Sequence, residues 1–425
     1  MSEPTVGASP KMPSLLGGAM IIAGTAVGAG MFANPTATSG VWFMGSMVVL
    51  LYTWFCMYAS GLMILEANLN YPLGASFDTV VKDLLGQKWN VITGVAVAFV
   101  LYILTYAYIF VGGGLTQASL QKIGGLLGAE SLSLSREVGA VAFALVVAFC
   151  VWLSTRVVDR FSTILIGGMV ITFFLSVGGM MDTASREVLL NTIAPEGQRY
   201  WIYVWGALPV CLASFGYHGN VPSLVKYYQK DGKQVARSLL LGTLIALVIY
   251  ILWQFAVQGN LPRAEFAPVI AAGGDVSALL TALSSYISTD GLGLTLNYFA
   301  YMAIASSFLG VTLGLFDYLA DLCKFSNSRS GRFKTALLTF LPPLVACLLF
   351  PTGFVKVIGY VGLGATVWTG IVPALLVNES RKRFPNAPFR AFGGRFMIGF
   401  VLLFAVINIL AQLLSQLGVL PTFTG

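Results

Sequence analysis

Charged residues are scarce in this chain. Asp, Glu, Lys and Arg make up 10% of its 425 residues, whereas soluble domains carry about 25%. Hydrophobic residues account for 57%, and the mean hydropathy is +0.83. Because so little charge cannot cover a water-exposed surface, the composition excludes an ordinary soluble domain and indicates a protein embedded in a lipid bilayer.

Residues that bind metals or carry out catalysis are equally few. The chain has one histidine, His218, and five cysteines without paired spacing, so neither a metal site nor a disulfide framework is predicted. It has no Walker loop and no nucleophile–base motif, which an ATP-driven pump or a membrane enzyme would need. We therefore predict no enzymatic activity and no bound cofactor, and we expect an ion gradient to be the energy source.

Long apolar runs are what the sequence has in abundance. A run of about 20 apolar residues can cross a bilayer as a helix. Eleven such runs are predicted, at residues 14–36, 41–66, 91–117, 138–155, 161–181, 200–226, 236–258, 292–320, 335–350, 354–377 and 396–417. A cytoplasmic N-terminus puts 18 of the 24 basic residues at cytoplasmic ends, in agreement with the positive-inside rule. The C-terminus then lies outside, and the net charge of +7 reflects orientation and not a nucleic-acid partner.

Nothing divides the chain into separate domains, so residues 1–425 are predicted to form a single transmembrane unit. The first five spans and the next five can be laid over each other in opposite orientation, as inverted repeats at about 14–181 and 200–377. The eleventh span, 396–417, is left as a peripheral helix. Residues 71–89 are predicted to form a short interfacial helix, and residues 260–290 either a capping loop or an external lid.

The first and sixth predicted spans are interrupted at their centres. The first contains Gly24-Thr25-Ala26-Val27-Gly28-Ala29-Gly30, and the sixth contains Ser214-Phe215-Gly216-Tyr217-His218-Gly219-Asn220-Val221-Pro222. Non-helical backbone at membrane depth is tolerated only against protein or a water-filled cavity. Paired breaks in corresponding halves favour the binding site of a transporter, whereas a close-packing face of small residues is the alternative for the first break. A dinucleotide-binding loop is excluded, because no strand–turn–helix context surrounds these glycines.

Broken helices at such a site present partial charges of both signs. The N–H groups at the start of a half-helix suit a carboxylate, and the carbonyls at the end of a half-helix suit an ammonium group, so a zwitterionic amino acid is the favoured ligand. Aromatic and hydroxyl side chains of the third and eighth spans are expected to complete the walls. The predicted binding residues are Gly24, Thr25, Ala26, Val27, Gly28, Gly30, Tyr106, Phe215, Gly216, Tyr217, His218, Gly219, Asn220, Ser307 and Phe308.

Three ionisable residues are candidates for ion coupling or gating: His218, Glu66 and Asp317. His218 is either a buried neutral residue with a structural role or a group that titrates and contacts the substrate. Glu66 and Asp317 either lie at the cytoplasmic interface or act as proton sites or as gate partners of Lys226 or Arg160. The sequence leaves both alternatives open for each residue.

Four long motifs carry a family resemblance that extends from about Pro13 to Pro421. They are Gly24-Thr25-x-x-Gly28-Ala29-Gly30-Met31-Phe32, Leu65-Glu66-Ala67-Asn68-Leu69-Asn70-Tyr71, the segment Ser214 to Leu224 and the segment Ser306 to Leu322. Together they strongly resemble the hydroxy/aromatic amino acid permease family of bacteria. The Tyr217-His218-Gly219-Asn220 form looks like the tryptophan-specific members of that family rather than its tyrosine permease.

The resemblance implies an all-α membrane protein with eleven transmembrane helices in a five-plus-five inverted repeat, with discontinuous first and sixth helices, as in the amino acid/polyamine/organocation superfamily. It implies import of L-tryptophan across the bacterial inner membrane by proton symport, and no obligatory protein partner is expected. The indole ring of the substrate is expected to lie among Tyr106, Phe215, Tyr217 and Phe308. Its N–H group needs an acceptor, and the candidates are Asn220, Ser307 and His218.

The coupling ion stays open at this point. Some relatives in the superfamily carry a lysine in the fifth span where sodium-coupled members bind sodium, and Phe161 to Met181 contains none. Ser306 and Ser307 are able to complete a sodium site with carbonyl groups near Ala26 and Gly28. A sodium-coupled symporter is therefore one alternative, and a passive facilitator for amino acids or indole is another.

Overall fold

The computed structural model describes residues 14–126, 135–192, 197–287, 291–351 and 353–425, with residues 122–126 described by their backbone alone. All regular secondary structure in these ranges is helical. In chain order the helices are α1 (Leu15–Ala26), α2 (Ala33–Ala37), α3 (Trp42–Asn68), α4 (Phe77–Leu85), α5 (Gln87–Leu126), α6 (Arg136–Leu153), α7 (Thr155–Thr183), α8 (Arg186–Leu190), α9 (Val204–Ser214), α10 (Val221–Tyr227), α11 (Gly232–Asn260), α12 (Ala267–Ala271), α13 (Val276–Tyr286), α14 (Leu292–Cys323), α15 (Arg329–Leu349), α16 (Phe354–Thr366), α17 (Val372–Arg383) and α18 (Gly394–Gln416).

Shorter helical turns connect some of these elements. Four have 3-10 geometry, at Ala29–Phe32, Trp201–Tyr203, His218–Asn220 and Arg263–Phe266. A π-helical turn, Val367–Ile371, joins α16 to α17. Such π turns occur frequently at functional sites.

Nine continuous helices in the described ranges are long and apolar enough to cross a membrane. They are α3, α5, α6, α7, α11, α14, α15, the stretch Phe354–Arg383 that contains α16 and α17, and α18. A tenth span results if α1 and the stretch Ala29–Ala37, whose axes differ by 51°, are taken together. Helices α9 and α10, in the sixth predicted span, are each too short to cross alone. The all-helical membrane architecture is therefore confirmed, whereas the count of eleven spans and the inverted repeat stay predictions.

The first break follows the end of α1 at Ala26. Val27 and Gly28 are extended, with φ and ψ of −77° and 111° and of −168° and −160°. A Cβ atom at Gly28 would lie 2.5 Å from Ser307 Oγ on α14. Glycine is therefore needed here because it lets α14 approach the unwound backbone.

The second break follows the end of α9 at Ser214. The chain passes through the 3-10 turn His218–Asn220 and enters α10, with Pro222 in the first turn, where a missing N–H group costs no helical hydrogen bond. Tyr217 is fully buried, and its hydroxyl donates to the carbonyl of Met57 on α3 at 2.9 Å. The second break is thus held against protein, as non-helical backbone at this depth requires.

The predicted interfacial segment 71–89 contains the short helix α4, which leads into α5. Ser76 caps α4 by accepting a hydrogen bond from the Thr79 N–H at 3.1 Å. Val80 and Val81 form its buried face, in one apolar cluster with Leu376 of α17. The helix therefore packs across the end of the span that contains α16 and α17.

The segment 260–290 folds into a 3-10 turn, α12 and α13, and residues 288–290 lie outside the described residues. Asp275, directly before α13, forms an ion pair with Arg136 at the start of α6, with 3.1 Å between nitrogen and oxygen. Burial raises the pKa of the Asp275 carboxyl, against the lowering effect of Arg136. The segment is thus anchored to a transmembrane helix, and its role as a lid stays a prediction.

Candidate functional site

A cavity of about 480 Å³ lies between the two helix breaks. Its volume falls within the range of about 300–1,000 Å³ that is typical of small-molecule sites. Eleven of the predicted binding residues line it, namely Gly24, Thr25, Ala26, Val27, Gly28, Gly30, Gly216, Tyr217, Gly219, Asn220 and Ser307. The structure therefore brings both breaks to one enclosed space.

Polar side chains connect the breaks to each other and to α14. Asn220 Nδ2 donates to Thr25 Oγ1 at 2.5 Å, and the Thr25 hydroxyl donates to the carbonyl of Ile21 at 2.7 Å. Ser307 Oγ accepts the N–H of Ala29 at 3.1 Å. These contacts fix the unwound backbone around the cavity, and Asn220 keeps its amide oxygen as an acceptor.

Tyr250 of α11 joins the ends of the two half-helices. Its buried hydroxyl lies 2.6 Å from the carbonyl oxygen of Ala26, the last residue of α1, and 2.5 Å from that of Ser214, the last residue of α9. Both helix ends carry partial negative charge, and both residues line the cavity. Tyr250 could not be predicted as a site residue, because a single tyrosine inside an apolar span looks like any packing residue.

The cavity is open on the side of α1 and α10 and closed on the side of α2. Gly24 and Thr25, on the open side, are exposed lining residues. Beyond the break, the rings of Phe32, Trp253 and Phe299 pack together with centroids 5.0 to 5.4 Å apart, and all three are buried. Close-packed aromatic rings of this size exclude water and solute from the α2 side.

The apolar wall of the cavity comes mainly from α5 and from the helix that contains the π turn. Val100, Leu104 and Tyr108 of α5 line the space together with Ala365 and Trp368. Trp368 lies in the π-helical turn. Sequence analysis did not single out Trp368, because π turns have no composition signature comparable to that of the glycine breaks.

Four of the predicted binding residues do not line the cavity. The Tyr106 hydroxyl donates to the carbonyl of Phe350 at 2.6 Å. Phe215 is fully buried against the ring of Tyr250, with centroids 5.0 Å apart. Phe308 is also fully buried, with neighbouring rings on α5, α6 and α15. These three aromatic residues point into the helix bundle, and the fourth residue is His218.

His218 is fully buried beside the cavity. Its Nε2 lies 3.2 Å from Ser60 Oγ, and the Ser60 hydroxyl donates to the carbonyl of Thr369. Because a hydroxyl has one hydrogen, Ser60 must accept from Nε2–H, which assigns the proton of the neutral imidazole to Nε2. Nδ1 then carries a lone pair, and it has no hydrogen-bond partner within the described part of the chain.

Glu66 and Asp317 occupy different environments. Glu66 is 1% exposed and binds Arg381 through two contacts of 2.7 Å, and it also accepts the N–H of Ala391 at 2.7 Å. Its partner is therefore Arg381 and not Lys226 or Arg160, because α17 and the segment that leads to α18 close over the end of α3. Asp317 is exposed near the end of α14. Neither residue lines the cavity described above.

Comparison with known proteins gives consistent matches over nearly the whole chain. Residues 11–412 match the model of the tryptophan/tyrosine permease family. A "Tryptophan-specific transport protein" of Haemophilus influenzae is 63% identical over 416 residues, which cover 98% of this chain and 99% of that protein. A protein of the same description from Pseudomonas aeruginosa is 54% identical over 423 residues, covering all of both chains. A "Low affinity tryptophan permease" of Escherichia coli is 44% identical over 417 residues, covering 97% and 98%. The resemblance drawn from the sequence motifs is thereby confirmed.

Proposed function

This chain belongs to the tryptophan/tyrosine permease family, and we propose that it imports L-tryptophan by proton symport with alternating access. Members of the family are permeases and not enzymes, which confirms the prediction that the chain has no enzymatic activity. It is a multi-pass membrane protein. The relatives described as tryptophan-specific transport proteins support the choice of substrate.

The observation that carries the proposal is the meeting of two helix C-termini at one cavity. The carbonyls of Ala26 and Ser214 suit the ammonium group of an amino acid, and the N–H groups after the first break suit its carboxylate. The indole ring then packs on the apolar wall that includes Tyr108 and Trp368. Its N–H donates to the free amide oxygen of Asn220, because a buried donor without a partner costs about 1–3 kcal/mol.

The asymmetry of the cavity supports alternating access. With eleven spans, a cytoplasmic N-terminus and an outer C-terminus, the open side near Gly24 and Thr25 faces the cytoplasm of the bacterial inner membrane. The aromatic cluster of Phe32, Trp253 and Phe299 then closes the outer side. Movement of one five-span repeat against the other would exchange the open and closed sides.

Proton coupling is assigned to His218. Its Nδ1 is a buried lone pair next to the cavity, without a partner in the described ranges, and imidazole is the side chain whose charge changes most readily near neutral pH. Coupling to one proton across 100 mV supplies about 2.3 kcal/mol, which is enough for roughly 50-fold accumulation of a neutral solute.

Uptake of labelled tryptophan into proteoliposomes tests these assignments. We expect accumulation that requires an imposed proton gradient, survives removal of sodium and is abolished by an uncoupler. Dependence on a sodium gradient would favour the Ser306 and Ser307 site, and uptake that never exceeds equilibrium would favour a facilitator. Failure of tryptophan to bind or to exchange would refute the substrate assignment itself.

The variant His218→Gln separates coupling from translocation. Glutamine keeps hydrogen-bonding capacity but cannot titrate. We expect the variant to exchange internal for external tryptophan without a gradient and to lose gradient-driven accumulation. Undiminished accumulation by His218→Gln would show that the proton binds elsewhere.

A further inference from the structure

Two side chains beside the cavity, Trp368 and His218, are in ring contact, and each has a buried nitrogen without a hydrogen-bond partner in the described part of the chain. Within the described residues, neither Trp368 Nε1 nor His218 Nδ1 makes a hydrogen bond. The two rings are in contact edge to face, with centroids 6.2 Å apart and planes at 81°. One atom is an obligatory donor, and the other is an acceptor in the tautomer assigned above. Trp368 therefore has a hydrogen to donate, and His218 has a lone pair that can accept it.

The backbone around Trp368 is already coupled to His218. The carbonyl of the next residue, Thr369, accepts the hydroxyl of Ser60, and Ser60 contacts Nε2 of His218. The π-helical turn thus places a backbone acceptor on Ser60, the hydroxyl partner of His218, and an indole ring edge to face with the imidazole. This arrangement differs from ordinary packing, in which a tryptophan presents only its apolar surface.

We propose that Trp368 is a positioning residue for proton binding at His218: its indole N–H bonds Nδ1 while the imidazole is neutral and is released when Nδ1 binds a proton. An imidazolium has two N–H groups and no acceptor, so protonation abolishes this bond. In the structure the two rings lie edge to face without this bond, and the neutral pair would form it by a change in the orientation of the rings. Because Trp368 lines the cavity, its release changes the wall of the binding site. The inference rests on the proposed role of His218 in proton symport.

Few other ionisable groups surround this pair in the described part of the chain. Tyr217 stacks on the imidazole with centroids 4.5 Å apart, and Tyr58 lies two residues before Ser60 on α3. Phenols stay neutral near neutral pH. Further along α3, Glu66 is paired with Arg381 at 2.7 Å. None of these neighbouring groups is therefore expected to change its charge between pH 5 and 8.

Nuclear magnetic resonance can observe the pair directly, because His218 is the only histidine of the chain. Protein labelled with ¹⁵N-histidine and reconstituted in liposomes gives one set of imidazole signals. At high pH we expect the Nε2–H tautomer, with the Nδ1 resonance of a hydrogen-bonded acceptor. In Trp368→Phe, which keeps an aromatic ring but lacks the donor, this resonance should move to the position of a free acceptor.

The titration midpoint provides a second readout. A hydrogen bond to the neutral imidazole favours the neutral form, so its loss makes protonation easier and moves the midpoint of His218 to higher pH. From the usual net worth of one hydrogen bond, we expect a shift of about 0.4–1 pH unit in Trp368→Phe. The same shift should appear in the pH profile of tryptophan KM, which a merely structural role of the ring would not move.

Trp253→Phe is the matched control. Trp253 is another buried indole whose Nε1 has no partner among the described residues, and it packs on Phe32 and Phe299 instead of His218. Its substitution should leave the Nδ1 signal and the midpoint unchanged. Identical signals and midpoints in wild type and Trp368→Phe would overturn the inference. If proton-driven uptake still depended on His218 in that case, the proposed function would stand. Absence of any His218 titration would overturn both the inference and the coupling assignment, while tryptophan exchange would still test the substrate.

Discussion

The contact between Gly28 and Ser307 makes a sharp prediction about the first helix break. A methyl group at position 28 would lie 2.5 Å from Ser307 Oγ but 3.7 Å from Ser307 Cβ. The collision in Gly28→Ala is therefore confined to the hydroxyl. The backbone at Gly28 is extended, which any residue adopts, so the substitution adds only this steric conflict.

The size of the expected effect follows from the hydrogen bond that the Ser307 hydroxyl must break. Ser307 Oγ would have to retreat by roughly 1 Å to reach ordinary van der Waals contact, and that movement breaks its bond with the N–H of Ala29, which is 3.1 Å long. A buried N–H group without a partner costs about 1–3 kcal/mol, and an off-rotamer side chain adds about 0.5–1.5 kcal/mol. Because this hydrogen bond holds the break in its binding-competent form, its loss lowers the population of that form, and the apparent affinity for tryptophan should fall by up to about 10-fold to 1,000-fold, since each 1.36 kcal/mol is a factor of ten.

A double-mutant cycle with Ser307→Ala isolates this contact. Ser307→Ala alone removes the hydrogen bond and should weaken binding by about 5-fold to 150-fold. In that background the methyl group of Gly28→Ala meets only a Cβ atom at ordinary distance, so the double variant should bind about as well as Ser307→Ala. Such non-additivity is the signature of a direct contact.

Equilibrium binding of labelled tryptophan to the purified protein provides the measurement. Gly24→Ala is the control, because a Cβ there meets no other atom within 4 Å although Gly24 lines the same cavity. A large loss of affinity in Gly24→Ala, or fully additive effects of Gly28→Ala and Ser307→Ala, would refute the reasoning.

Two further predictions concern buried polar contacts. Glu66→Gln should lower the free energy of unfolding of the purified protein by about 3–5 kcal/mol, because Arg381 would lose its buried partner. Glu379→Gln, at the exposed pair with Lys382, should change this free energy by at most about 1 kcal/mol. An equal effect of the two variants would contradict the assigned burial. Tyr250→Phe should weaken tryptophan binding by more than it weakens indole binding, because only tryptophan brings an ammonium group to the carbonyls that Tyr250 orients. Tyr228→Phe, which removes a buried hydroxyl that donates to Ser14, should affect stability without distinguishing the two ligands.

The positions of the helix breaks could be predicted from the sequence because their cause is local. Glycine at Gly28 weakens a helix interior, and Pro222 cannot continue a helix from the residues before it, so an apolar span must hide the resulting backbone. The structure accordingly ends α1 at Ala26 and α9 at Ser214. Local composition also identified the part of the cavity lining that the two breaks contribute, since their own backbone forms it.

The direction in which each side chain points could not be predicted from the sequence, because it depends on how each helix is rotated against its neighbours. Tyr106 and Tyr108 are two residues apart on α5 and therefore differ by about 200° around its axis. Only Tyr108 lines the cavity, and Tyr106 bonds the carbonyl of Phe350. The prediction chose Tyr106 for the wall, and the structure places Tyr108 in the cavity lining instead for this reason. Trp368 was not predicted as a lining residue for the same reason, since its position depends on the π-helical turn.

The hydrogen-bond inventory at Tyr250 gives a physical reason for ammonium recognition. A phenolic hydroxyl donates one hydrogen, yet the carbonyl oxygens of Ala26 and Ser214 lie 2.6 and 2.5 Å from it. One of the two carbonyls therefore lacks a full hydrogen bond at any moment. An ammonium group has three hydrogens to donate, and both carbonyls carry the partial negative charge of a helix C-terminus. Tyr250 thus offers one hydrogen to two acceptors, and the ammonium group of an amino acid would supply further donors where the two broken helices end.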